Sequence, residues 1–194
     1  MRLRSDAAEN RRRLLLATRD AVAAEGTGVS VRDIADRAGV SLSTVYRHFP
    51  DKQGLIDGLS VYRWATLHHL ATRHAAANGS LPAIAHLLAT FTRMVTVDDT
   101  FIRAVGITVG RTPYGILPVK ARFDPLLAAL WGMAVRRGEI RKGLDPRDAL
   151  ELAAMIRDPL RLDAQLDVVI CGIATERGEE VLRARHPLPQ VSVA

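Results

Sequence analysis

The sequence predicts an all-α fold of about nine helices. Ala, Leu and Arg dominate the chain, and these residues are among the strongest helix formers. Apolar residues recur at three- and four-residue spacing, whereas no segment shows the alternating pattern of a β-strand. Short clusters of Gly, Pro, Asn and Ser separate the periodic segments. We therefore expect helices packed around apolar cores, without a β-sheet.

The composition is that of a soluble globular protein with one or two domains. The chain has 194 residues, of which 48% are hydrophobic and 25% are charged. No apolar run approaches the roughly 18 residues that a membrane span requires, and the amino terminus lacks a signal-peptide pattern. The single cysteine, Cys171, excludes an internal disulfide and a thiolate metal cluster. We expect a cytoplasmic protein without cofactor or membrane contact, in which Cys171 is a buried small hydrophobe.

Capping and turn residues define the first four helices. These helices are predicted at residues 6–25, 30–38, 41–49 and 51–77. Ser30, Ser41 and Asp51 are good amino-terminal caps for the last three. Gly39 lies where a tight turn needs a positive φ, and Pro50 stops the third helix.

Five more helical segments follow, and turn-forming residues separate them. They are predicted at residues 81–97, 100–110, 116–138, 146–158 and 163–178. The tail after Arg185 contains two prolines and is expected to be irregular. We expect an amino-terminal domain of residues 1–58 and a larger domain of residues 59–194.

Residues 30–52 have the pattern of a helix-turn-helix. The apolar residues that would pack these helices together are Ile34, Ala35, Ala38, Val40, Val45 and Phe49. The residues left for the outer face of the third helix are Leu42, Ser43, Thr44, Tyr46, Arg47 and His48. Hydroxyl, aromatic and basic side chains can bind both base edges and phosphates, and a helix amino terminus carrying Lys52 also suits a phosphate. The third helix is therefore predicted to lie in the major groove of DNA.

The net charge favours a phosphate-rich partner without locating it. The chain carries a net charge of +6, but residues 1–58 contribute only ten Lys and Arg against eight Asp and Glu. Basic residues cluster in and before the first apolar segment, at Arg2, Arg4 and Arg11–Arg13, and again within the motif. The placement of individual charges therefore matters more than their sum.

At these residues the sequence resembles the TetR family of bacterial transcriptional regulators. The resemblance covers residues 13–56 and rests on Gly26, Val31, Ile34, Ala35, Ala38, Gly39, Val40, Ser41, Tyr46, Phe49, Lys52 and Leu55. It implies a repressor that binds an operator and that a small molecule releases. Together with the outward basic side chain of the third helix, it gives the expected DNA contacts as Arg32, Ser43, Thr44, Tyr46, Arg47, His48 and Lys52.

The resemblance also implies that the larger domain binds the effector between its helices. Large, mostly apolar side chains that could line such a pocket are Trp64, Phe91, Met94, Val95, Phe101, Val105, Tyr114, Phe123, Leu127 and Trp131. Arg103 and Arg111 are candidates to pair with an acidic ligand. The alternative is that these aromatic and Met residues form an ordinary core.

A homodimer is expected because the operators of such proteins are two-fold symmetric. One recognition helix also buries too little surface for tight, specific binding. Residues 148–156 and 164–174 are both apolar at helical spacing, and a pair from each subunit would form a four-helix bundle. The interface is therefore predicted at about residues 148–174, with Pro159 between its two helices.

Two other classes of function remain as alternatives. A metal-dependent enzyme would need a ligand set, for which His69 and His86 could meet across two helices. However, no Glu-x-x-His or His-x-x-x-His spacing occurs, and no Gly-x-Ser-x-Gly motif is present. We predict no catalytic or metal-binding residues. A helical adaptor that does not bind DNA is the second alternative, and binding that is insensitive to salt would favour it.

Overall fold

The computed structural model describes residues 2–97 and 116–185, and these residues form nine α-helices. The helices are α1 (Arg2–Glu25), α2 (Val31–Ala38), α3 (Leu42–His48), α4 (Lys52–Asn78), α5 (Ser80–Val97), α6 (Ile116–Arg136), α7 (Pro146–Met155), α8 (Leu162–Ile173) and α9 (Glu176–Arg185). Across these two ranges there is no strand, and Ile140 and Ala174 form a single antiparallel bridge. The all-α prediction is confirmed. The predicted helix at 100–110 and the tail after Arg185 lie outside the described residues.

The described residues form two compact units. The first contains residues 2–64 with 97 and 116–119, and the second contains residues 65–96 and 120–185. Helix α4 contributes to both, because the division falls after Trp64. In the described part of the chain, no helix is both long enough and apolar enough to cross a membrane.

The first unit has its own apolar core, which α1 to α4 build. Helix α1 packs against α2, and α2 packs against α3. The core contains the apolar face of α1 and the predicted apolar residues of the motif, of which Val40 is only partly buried. The buried members are Leu14, Leu15, Ala17, Ala21, Val22, Val29, Ile34, Ala35, Ala38, Val45, Phe49, Leu55 and Leu59.

The predicted caps of this unit are all present. Ser30 Oγ accepts a hydrogen bond from the Asp33 amide at 3.1 Å, and Ser41 Oγ accepts one from the Thr44 amide at 3.3 Å. Asp51 Oδ1 accepts from the Gly54 amide at 2.7 Å. Gly39 ends α2 in the left-handed conformation, with φ of 63°. The chain therefore turns where its local sequence specifies.

Three of the predicted helices have bounds that are wrong by three residues or more. Helix α1 begins at Arg2 instead of residue 6, and α7 ends at Met155 instead of residue 158. The predicted helix at 163–178 is two helices, α8 and α9, because the backbone is extended at Ala174. Thr175 then caps α9, since its Oγ1 accepts from the Gly178 amide at 3.1 Å.

The start of α9 packs closely on the turn that follows α6. The Thr175 amide donates to the Glu139 carbonyl at 3.0 Å, and Thr175 Oγ1 donates to the Gly138 carbonyl at 2.5 Å. A Cβ atom at Gly178 would overlap the Glu139 carbonyl oxygen. This backbone contact fixes where α8 must end and α9 must begin.

Two side chains of the second unit are not where the sequence predicted them. Cys171 is exposed on α8, because the buried positions of this helix are Leu162, Leu166, Ile170 and Ile173. His86 on α5 stacks on His74 of α4 instead of meeting His69, with ring centroids 4.5 Å apart and an interplanar angle of 9°. Among the described residues, no group of three or more His, Cys, Asp or Glu side chains could hold a metal ion.

Candidate nucleic-acid interface

The candidate interface is centred on α3, a short helix that its own amino-terminal cap defines. Ser41 Oγ lies 2.9 Å from Ser43 Oγ and 3.0 Å from Thr44 Oγ1, within hydrogen-bond distance of both hydroxyls. Val45 is fully buried in the first unit's core. The cap and the buried valine fix the rotation of α3 about its axis, and this rotation decides which side chains face outward.

The outward face of α3 carries most of the predicted contact residues. Tyr46 is 52% exposed, and Ser43 and Arg47 are exposed as well. Thr44 is half-buried. Leu42 is half-buried and packs against the core, so its predicted place on the outer face is wrong. Leu42 is three residues before Val45 and seven before Phe49, so apolar spacing does indicate that it faces the core.

The basic residues that flank α3 lie on the neighbouring helices. Arg32 is exposed on α2, and Lys52 is the half-buried first residue of α4. Asp51 Oδ1 accepts a hydrogen bond from the Gly54 amide of the first turn of α4. The amino terminus of α4 therefore combines a lysine with the positive end of a helix dipole, an arrangement that attracts phosphate.

His48 is half-buried at the carboxyl end of α3. Burial of the ring lowers the pKa of His48, and the nearby charges of Arg47 and Arg11 lower it further. Its Nε2 atom is buried and has no hydrogen-bond partner among the residues that the structure describes. The lowered pKa favours the uncharged form of the imidazole at neutral pH.

Two of the three basic residues at Arg11–Arg13 bind backbone carbonyls of the helix-turn-helix. Arg13 Nη2 donates to the Ala38 carbonyl at 2.6 Å, and Arg11 Nη1 donates to the His48 carbonyl at 3.2 Å. Arg12 instead forms an exposed ion pair with Glu9, at 3.1 Å. Sequence reasoning grouped these arginines only as nearby positive charge. Their carbonyl partners are 25 and 37 residues away in the sequence, so no local pattern indicates them.

Comparison with known proteins identifies the chain. The family model described as "Bacterial regulatory proteins, tetR family" matches residues 14–59. A TetR transcription regulatory protein from Mycobacterium vanbaalenii is 31% identical, with a TM-score of 0.70; the match covers 89% of this chain and 99% of that one. The chain belongs to the TetR family. It is accordingly a DNA-binding transcriptional regulator with a helix-turn-helix.

Two further solved structures share this fold. A TetR transcriptional regulator from Streptomyces coelicolor is 26% identical, has a TM-score of 0.68 and covers 86% of this chain and 99% of its own. The transcriptional regulator FadR from Bacillus subtilis, solved in complex with stearoyl-CoA, is 17% identical with a TM-score of 0.57, over 84% and 98% of the two chains. No curated protein matches this chain.

The residues predicted to line the effector pocket of this TetR regulator are divided among the second unit, the first unit and the part of the chain outside the described residues. Phe91, Val95, Phe123, Leu127 and Trp131 are buried in the second unit, and Met94 is half-buried there. Trp64 is buried in the first unit. Phe101, Val105 and Tyr114, together with Arg103 and Arg111, lie outside the described residues.

Proposed function

We propose that the chain is a repressor that binds a palindromic operator as a homodimer and leaves it when a small, mostly apolar molecule binds. In this proposal residues 1–58 bind DNA, and residues 59–194 dimerise and hold the effector. The observation that carries it is α3, capped by Ser41 and seated on Val45, with Tyr46 and Arg47 directed away from the core. Such a protein acts in the cytoplasm, where the operator is, and needs no catalytic group or cofactor.

We assign base contacts to the exposed polar face of α3. Ser43 and Tyr46 are exposed, and Thr44 is half-buried, with its hydroxyl within hydrogen-bond distance of Ser41 Oγ. Hydroxyl groups can form hydrogen bonds with base edges, and the methyl group of Thr44 or the ring of Tyr46 can contact a thymine methyl. These three residues are therefore the proposed readers of sequence.

We assign the phosphate contacts to basic residues at the edges of α3 and on the helices beside it. Arg32 and Arg47 are exposed, and Lys52 begins α4. His48 adds a hydrogen bond in its neutral form, because burial lowers the pKa of its ring. Phosphate contacts of this kind fix the register of α3 in the groove.

The proposed dimer interface is residues 148–174, which contain most of α7 and all of α8. These helices pack against each other, and four large apolar side chains in and between them are exposed in the single chain. They are Leu152, Met155, Leu160 and Val168. An exposed apolar surface of this kind is typical of a protein–protein interface, and a second copy presents the same surface.

The effector is proposed to bind in the second domain, among large apolar side chains. Phe91, Val95, Phe123, Leu127 and Trp131 supply such side chains on α5 and α6. The stearoyl-CoA bound to the Bacillus subtilis regulator carries a long apolar chain, although that protein shares only the fold with this one. Effector binding would shift the population of dimers towards a separation of the two α3 helices that does not match the operator.

The test of DNA binding uses the double-stranded DNA upstream of the chain's own gene. We expect a footprint over a palindrome, and Tyr46→Ala should weaken binding about tenfold or more, the typical effect of one lost base contact. Arg47→Ala should reduce the slope of log affinity against log salt by about one, because one phosphate contact is lost. Arg19→Ala is the matched control, since Arg19 is also exposed, lies on α1 and pairs with Asp20. Absence of any footprint, or one that Tyr46→Ala leaves unchanged, would contradict the proposal.

A further inference from the structure

Arg11 and Arg13 of α1 each bind the last carbonyl of one helix of the helix-turn-helix. Arg13 Nη2 donates to the carbonyl of Ala38, the last residue of α2, at 2.6 Å. Arg11 Nη1 donates to the carbonyl of His48, the last residue of α3, at 3.2 Å. The two arginines therefore connect α1 separately to both helices that form the DNA-binding motif.

The carbonyl that each arginine binds has no partner inside its own helix. The last four carbonyls of an α-helix lack intrahelical donors, and together they carry the negative end of the helix dipole. At the end of α2, the amides of Gly39 and Val40 bind the carbonyls of Asp36 and Ala35, while Arg13 binds that of Ala38. A guanidinium at this position supplies both a donor and a compensating positive charge.

Arg11 is held by a second contact. Its guanidinium carbon lies 4.3 Å from the centroid of the Phe49 ring, the residue directly after α3. Burial lowers the pKa of Arg11, but a guanidinium stays protonated at physiological pH. Arg11, His48 and Phe49 also line a groove of about 380 Å³ along the start of α4. Arg11 thus contacts both the end of α3 and the Phe49 ring at this groove.

Arg13 has a second contact with the turn between α2 and α3, because its Nη2 atom also donates to the Gly39 carbonyl at 3.4 Å. Its Nη2 atom lies 2.8 Å from the position that a Cβ atom at Gly39 would occupy. The glycine therefore gives the turn its left-handed conformation and also leaves room for the guanidinium. The sequence attributed this glycine to the positive φ of the turn, and the room it leaves for Arg13 is a second requirement.

The spacing of the two arginines suits two different targets. Two residues along an α-helix correspond to a rotation of about 200° about its axis, so Arg11 and Arg13 lie on nearly opposite sides of α1. Arg12, between them, pairs with Glu9 in the exposed surface instead. One turn of α1 therefore holds α2 with one side chain and α3 with another.

We propose that Arg11 and Arg13 are positioning residues that fix the angle between α2 and α3 and so set operator specificity without touching DNA. This inference rests on the proposed reading of DNA by α3. Base contacts depend on the orientation of α3 in the groove, whereas phosphate attraction alone does not. Loss of either arginine should therefore reduce binding to the operator more than binding to unrelated DNA.

The test compares Arg11→Ala, Arg13→Ala and Arg12→Ala on operator and on random-sequence DNA over a range of salt concentrations. We expect the first two to lower the ratio of operator affinity to random-DNA affinity about tenfold, comparable to the loss of one charge-assisted hydrogen bond. Their salt slopes should equal that of the unaltered chain. Arg12→Ala removes the same charge and should leave the ratio unchanged. Arg11→Lys and Arg13→Lys should restore part of it, because an ammonium can still donate to one carbonyl.

Three results would overturn the inference. A salt slope that falls by about one in Arg11→Ala and Arg13→Ala would make these residues phosphate contacts. An equal loss of affinity for both DNAs would show that they add only charge. A lower melting temperature with an unchanged affinity ratio would show a purely structural role.

A measurement without DNA separates this inference from the function on which it rests. In the proposed arrangement, Arg13→Ala shifts the carbonyl ¹³C resonance of Ala38, and Arg11→Ala shifts that of His48, while Arg12→Ala shifts neither. If the unaltered chain binds no operator, the proposed function fails, but these resonances still report whether the arginines hold the helix ends. Unchanged resonances in both variants would refute the inference even if operator binding is found.

Discussion

Gly39 has two structural requirements at one position. Its φ of 63° lies in the left-handed region, and Arg13 Nη2 lies 2.8 Å from where a Cβ would stand. An L-residue there costs about 1–2 kcal/mol for the backbone conformation alone. The side chain would also push the guanidinium away from the Ala38 carbonyl.

We therefore expect Gly39→Ala to lower the unfolding free energy by more than the backbone cost. Gly138→Ala is the matched control, because Gly138 has a φ of 70° but nothing within 4 Å of the added Cβ. Urea unfolding of both variants measures the difference, which we expect to be about 1 kcal/mol, the size of one hydrogen bond. Equal destabilisation would mean that Arg13 moves aside without cost.

Local side chains made the helix-turn-helix predictable at the scale of single elements. Ser30, Gly39 and Ser41 act within three or four residues of the backbone groups that they bind, so their roles can be read from a short sequence window. The burial of Val45, which fixes α3 on the core, follows from the apolar spacing. These features gave the boundaries of α2 and α3 and most of the outward face of α3.

The features that sequence reasoning missed depend on distant or competing contacts. The carbonyl partners of Arg11 and Arg13 lie on other helices. Cys171 lies within an apolar stretch of α8, but Leu166 and Ile170 occupy the buried positions of this helix. The apolar neighbours of Cys171 therefore did not show that its own side chain is exposed. The break after α8 had a local signal in Thr175, whose hydroxyl accepts from the Gly178 amide as an amino-terminal cap does. The apolar periodicity on both sides concealed it.

The hairpin of α4 and α5 contains a pair of stacked histidines with a consequence for stability. Burial lowers the pKa of His86, and the neighbouring His74 and Arg93 lower it further. In the unfolded chain the same histidine titrates near its ordinary pKa of about 6.5. Between that value and the lower pKa of the folded state, the unfolded chain binds more protons.

We therefore expect His86 to contribute its full stabilisation above about pH 6.5. The unfolding free energy should fall as the pH drops below that value. His86→Gln should flatten this dependence, whereas His69→Gln, at an exposed position on α4, should retain it. Urea midpoints measured at several pH values between neutral and mildly acidic check this. The same pH dependence in both variants would show that His86 is not responsible.

At the scale of the whole molecule, the exposed apolar side chains of α7 and α8 favour assembly. Met155 is 74% exposed and Val168 is 73% exposed, while Leu160 in the connection between the helices is 95% exposed. Exposed large apolar groups in water favour a partner that covers them. The proposed dimer would cover them and would also place two copies of α3 on one operator.

The double variant Met155→Lys/Val168→Lys is expected to be monomeric in light scattering. Its operator affinity should fall on the order of 10²-fold, because the second α3 no longer binds as part of the same molecule. Leu117→Lys is the matched control, since Leu117 on α6 is 69% exposed and lies outside residues 148–174. A dimeric double variant would place the interface elsewhere.

The contact between Gly178 and the Glu139 carbonyl also limits how this gene can change over time. Any side chain at position 178 would overlap main-chain atoms, which no substitution elsewhere can shorten or remove. Gly172, only six residues earlier, has open space around its missing Cβ and can mutate without such a clash. As related genes diverge, position 172 can accept a side chain within the single chain, and only the proposed dimer would limit its size, whereas position 178 can leave glycine only if the turn after α6 is rebuilt at the same time.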